Sequence, residues 1–112
     1  MKQVFNAGIA ERYGIVAAVL AEHMWREVKE NEFHGRHRYG GNVWMRCSMG
    51  AFTAAMTYLS EGMVYIGIQK LINEGVLMRG KNSGSGHGRA EWYAFTASGK
   101  KLMEESEDED YE

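Results

Sequence analysis

At 112 residues, 45% of them hydrophobic and 25% charged, the chain has the apolar content for one modest core and not for two. Its longest apolar run, Ile15 to Ala21, is stopped by Glu22 and His23, well short of the roughly 20 residues a membrane span needs. The net charge of −2 conceals an asymmetry: residues 104–112 hold seven acids and no base, while the 103 residues before them hold thirteen bases and eight acids. A domain over 1–103 is therefore expected, followed by an acidic disordered tail over 104–112. Met1-Lys2-Gln3 opens no secretory apolar stretch, and Cys47 has no second cysteine to pair with, so the expected setting is cytoplasmic.

In chain order, a polar lead-in with a short helix around Gly8–Tyr13 comes first. Val16, Leu20, Met24 and Val28 then recur every fourth residue and predict a helix from about Gly14 to Asn31. Residues 33–42, with Gly35, Gly40 and Gly41, read as a loop or loose hairpin, and Val43–Arg46 as a short strand. Ser48 caps a helix to about Met56. Ser60 caps the next, Glu61–Asn73, on which Val64, Ile68 and Leu71 share one side and which Gly75 ends. Val76–Arg79 and Glu91–Thr96 pair as an antiparallel hairpin across the glycine-rich residues 80–90, and Thr96 caps a last helix to about Glu105. Trp44, Trp92, Tyr93 and Phe95 read as core. Strand alternation splits Trp92 and Ala94 from Tyr93 and Phe95, which leaves one aromatic partly exposed.

This order of helix, strand, helix, turn, helix, strand, wing, strand and helix is that of an α+β winged helix-turn-helix: a three-helix core, a small antiparallel sheet and a C-terminal helix. The pieces Tyr13-Gly14-Ile15-Val16-Ala17-Ala18-Val19-Leu20, Glu22-His23-Met24-Trp25 and Gly41-Asn42-Val43-Trp44 carry a more specific likeness. So do Tyr58-Leu59-Ser60, Leu71 to Leu77, Trp92 to Thr96 and Gly99 to Leu102. Over about residues 13–103 the chain resembles the winged-helix domain of phage and prophage replication proteins of the replisome-organiser type. These in turn are similar to the amino-terminal domain of primosomal initiation proteins of Gram-positive bacteria. The resemblance implies a DNA-binding module acting in replication initiation or transcriptional control. Family members usually carry several bases on the recognition helix, where this chain has only Lys70. They continue into a larger carboxyl-terminal region, where this sequence has its acidic run.

With Val64, Ile68 and Leu71 inward, the helical period turns Gly62, Ile66, Gln69 and Asn73 outward, flanked by Met63, Tyr65 and Lys70. Gln69, Lys70 and Asn73 are the expected base and phosphate contacts in a major groove. Lys81, His87 and Arg89 are the expected wing contacts to the backbone of double-stranded DNA, with Arg79 beside them and Arg36, Arg38, Arg46, Lys100 and Lys101 extending the patch. A homodimer is expected, because doubling the contacts raises affinity. The competing expectation is a protein-binding accessory factor or a phage-encoded inhibitor of a host nucleic-acid system, anti-CRISPR-like. It would dock through Met63, Tyr65 and Ile66 and offer its acidic tail as a phosphate mimic. His34 and His37 with Cys47 fall short of a zinc ligand set, and no catalytic constellation or cofactor motif stands in the sequence.

Overall fold

The computed structural model describes residues 7–80 and 91–109. Helix α1 (Ala7–Tyr13) leads into the long α2 (Ile15–Phe33), followed by a hairpin of β1 (Arg38–Tyr39) and β2 (Asn42–Val43). Then come β3 (Met45–Cys47), α3 (Met49–Ala55), α4 (Glu61–Asn73), β4 (Leu77–Arg79), β5 (Glu91–Phe95) and α5 (Ala97–Glu109). The architecture is mixed α and β, with two small antiparallel sheets: β1–β2, and a three-stranded sheet ordered β3-β5-β4. No helix among the described residues is long and apolar enough to cross a membrane.

Local chemistry sets most of these boundaries. Ser48 Oγ accepts from Ala51 N–H at 3.1 Å and Ser60 Oγ from Met63 N–H at 3.2 Å, each satisfying a free donor of the first turn. Thr96 Oγ1 does the same for Gly99 N–H at 3.0 Å. Both α2 and α4 end in a Schellman motif on a left-handed glycine. At α4, Gly75 N–H donates to the Ile72 carbonyl and Val76 N–H to that of Leu71; at α2, Gly35 N–H donates to Glu32 and Arg36 N–H to Asn31. Gly35 therefore stops α2 at Phe33, two residues past the expected Asn31.

The core is built from one face of each helix and the inner face of the larger sheet. Leu20, Met24, Phe52, Val64, Ile68, Leu71, Leu77, Tyr93, Phe95 and Met103 are buried together, so the inward turn of Val64, Ile68 and Leu71 is as expected. Gly67 lets α4 approach α2 closely: a Cβ there would stand 2.5 Å from Leu20 Cδ1 and 3.3 Å from Val16 Cγ1. Register places Met45 opposite Tyr93 and Arg46 opposite Trp92. Tyr93 and Phe95 are buried as expected. Trp44 and Trp92 are not: both are partly exposed, because alternation sends them to the outer side of the sheet.

Two further boundaries differ from expectation. The strand expected over 43–46 is divided at Trp44. Its N–H donates to the His37 carbonyl at 2.8 Å and its carbonyl accepts from Asn31 Nδ2 at 2.9 Å, so one backbone group serves the loop after α2 and the other the last turn of α2 itself. The last helix runs to Glu109, into the acidic stretch expected to be a disordered tail.

Candidate binding faces

Two surfaces differ sharply in chemistry. The first is formed by α3, the following turn and α4. Between Arg46 and Lys70 the only charged residue is Glu61. The outer arc of α4 carries Ile66 at 67% exposure, Tyr65 at 55% and Met63 at 41%, and the turn adds Tyr58 at 68%. Ala51, Ala54 and Ala55 of α3 are also exposed. Ile15, next to Val16 at the packing contact with Gly67, is a further exposed aliphatic. Lys70 and Asn73 point outward as expected, whereas Gln69 is half-buried. Tyr58 escapes a reading based on helix periodicity because it belongs to the turn.

The second surface is the outer side of the three-stranded sheet with the loop and hairpin that follow α2. The Arg46 guanidinium lies 5.8 Å from the Trp92 ring centroid. The His37 ring meets the same indole at 5.0 Å, tilted by 66°. His37 has φ 57°, the left-handed region that a β-carbon disfavours, and is the only non-glycine residue there among those described. Its conformation is fixed by the Trp44 hydrogen bond to its carbonyl, while the neighbouring Arg36 N–H is tied to Asn31. Arg36, Arg38 and Arg46 are exposed, and none forms an ion pair among the described residues.

Arg79 is not part of this outer surface. It sits opposite Tyr93, on the inner side of the sheet edge, 3.2 Å from Glu91, whose carboxylate also accepts from the Tyr93 hydroxyl at 2.9 Å. Lys81, His87 and Arg89 lie outside the described residues. Lys100 Nζ donates to Asn42 Oδ1 at 3.2 Å and so belongs to the hairpin side, and Lys101 is exposed on α5.

Between α2, the hairpin and α5 runs a cleft of about 480 Å³. Lys29, Arg38 and Lys100 line it together with Glu32 and Glu104, so its charges largely offset one another. Lys29 lies 3.5 Å from Glu32. Cys47 is part-buried, and its Sγ donates to the Ser48 carbonyl at 3.6 Å. Burial first, and then the nearby Glu27 charge, push its thiol up to about 11, far from the range of a reactive cysteine.

The chain matches no family model, no curated protein and no solved structure.

Proposed function

We propose that the chain is a non-enzymatic winged helix-turn-helix module that binds double-stranded DNA, as a homodimer, in a replication-initiation or transcription-control system of phage or mobile-element type. The fold part of this reading is supported by the capped pair α3–α4, joined by a short turn, and by the sheet order β3-β5-β4 with the β4–β5 connection in the position of a wing.

One observation carries the DNA part. From Phe33 to Ser60 every charged side chain is an arginine, and all three of these are exposed. Phosphate contacts of this kind supply the sequence-independent part of DNA affinity and make it salt-dependent. With three or more such contacts, binding of a fluorescent duplex falls by tens of fold between about 50 and 200 mM salt. An affinity that does not change with salt, or no binding at low salt, refutes the reading.

The apolar α3–α4 face favours a second reading, a protein-binding accessory factor or phage-encoded inhibitor. Exposed Tyr and Met on a nearly uncharged surface are the composition of an interface core.

A further inference from the structure

We infer that the duplex is held by the outer side of the sheet and the loop after α2, with Arg36 and Arg46 on the phosphate backbone, and not by α4 in the major groove. The inference rests on the DNA-binding reading and assigns its contact surface. Charge placement is the first argument. The outer arc of α4 offers Lys70 alone, and Gln69, one of its two base-reading amides, is half-buried. On the other surface Arg36 and Arg46 are exposed and form no ion pair among the described residues, whereas Arg38 belongs to the cleft with Glu32 and Glu104. The nearest sheet carboxylate, Glu91, is engaged with Arg79 and the Tyr93 hydroxyl on the inner side.

Preorganisation is the second argument. A guanidinium resting on an aromatic ring keeps its N–H fork for a phosphate while losing little freedom on binding, and Arg46 on Trp92 is such an arrangement. Arg36 precedes His37, whose left-handed backbone is held by the Trp44 hydrogen bond, and the Arg36 N–H is itself tied to the Asn31 carbonyl. The exposed Arg36 is therefore carried by a fixed backbone. Strain of this kind, retained by surrounding bonds, marks a conformation the fold is built to present. The shared contact of His37 and Arg46 with the Trp92 indole brings loop and strand together.

The same contact argues for duplex backbone over single strand. With His37 and Arg46 against it, Trp92 acts as a platform for its neighbours and not as a base-stacking surface of the single-strand type.

The test uses the full chain and a labelled duplex of about two helical turns, followed by anisotropy across a salt series. Arg36→Gln/Arg46→Gln is expected to lower affinity by about tenfold and to reduce the salt slope by about 2, roughly one per phosphate contact. Arg46→Lys keeps the charge and the salt slope but loses the fork stacked on Trp92, so it binds several-fold more weakly than the wild type, and Gln69→Ala/Asn73→Ala changes binding by less than about twofold. Unaltered melting of the arginine double variant shows that the loss belongs to the surface. If the α4 pair abolishes binding and the arginine pair does not, the assigned surface is wrong while the DNA reading stands. If the wild-type chain binds no duplex, both fall. Tighter binding to an oligothymidylate of equal length overturns the choice of duplex.

Discussion

Gly99→Ala separates the structure from intuition about helices. In an exposed helix interior, replacing glycine by alanine stabilises by about 1 kcal/mol. Gly99 occupies the first turn of α5, and there a Cβ would stand 2.1 Å from the Val76 carbonyl oxygen, where real contacts essentially never fall under 3.0 Å. The obstacle is backbone, so α5 itself must move by close to an ångström. That movement opens the clasp at its start: Thr96 N–H to the Val76 carbonyl at 3.1 Å, Ser98 Oγ to the Gly75 carbonyl at 3.1 Å, and the contacts of Thr96 Oγ1 with both carbonyls. Losing two or three hydrogen bonds at about 1 kcal/mol each, together with disturbed packing at the buried Met103, outweighs the helix gain and leaves a net cost of about 1–3 kcal/mol. For a domain of this size the melting temperature drops by about 5–15 °C. Gly62→Ala is the internal control. A Cβ there meets only Ser60 Oγ, at 3.9 Å, so the variant should melt at or slightly above the wild type. Thermal denaturation followed by circular dichroism decides the matter. A Gly99→Ala chain as stable as Gly62→Ala would mean that α5 does not seat on Val76 as described.

Three other perturbations have defined outcomes. Ile66→Glu should change unfolding free energy by no more than about 0.5 kcal/mol, since the side chain is 67% exposed, while removing any association through α4 seen in sedimentation; a large loss of stability would place Ile66 in the interior. Asn31→Ala removes the donor to the Trp44 carbonyl and should cost about 1–3 kcal/mol in urea denaturation with a change in tryptophan emission; an unchanged midpoint would show the loop to be held by other bonds. Alkaline pH should destabilise the fold. Burial holds the Cys47 thiol up to about 11 from an ordinary value near 9.0, and burial with the Glu91 hydrogen bond raises the Tyr93 phenol as well. Both groups stay protonated in the folded chain while the unfolded chain releases their protons. Their stabilisation is thus complete below about pH 9 and declines from there toward pH 11, which a flat urea midpoint over that interval would contradict.

The helices were legible because their boundary signals are local. Ser48, Ser60 and Thr96 announce caps, Gly75 announces a stop, and Val64, Ile68 and Leu71 announce the buried side of α4. The hairpin was only half visible: Gly40 and Gly41, both with positive φ, suit a tight turn, but two-residue strands are too short to show alternation. The division of β2 from β3 at Trp44 depends on a hydrogen bond from Asn31, thirteen residues away, which no local pattern encodes. For the candidate sites, the exposure of Met63, Tyr65 and Ile66 follows from helical period alone. The gathering of His37 and Arg46 around Trp92 does not. It depends on the pairing of Arg46 with Trp92, from strands far apart in sequence, and on a left-handed conformation that nothing about a histidine foretells.

Because β5 is the central strand, both β3 and β4 must wait for it, and neither pairs with the other. During synthesis α2, α3 and α4 can associate as soon as Asn73 has emerged, whereas Met45 has no ladder partner until Tyr93 follows. The chain thus divides in time into an early helical unit and a late sheet whose edges stand unpaired for the interval between them, the period in which a nascent molecule is most prone to pair with a neighbour.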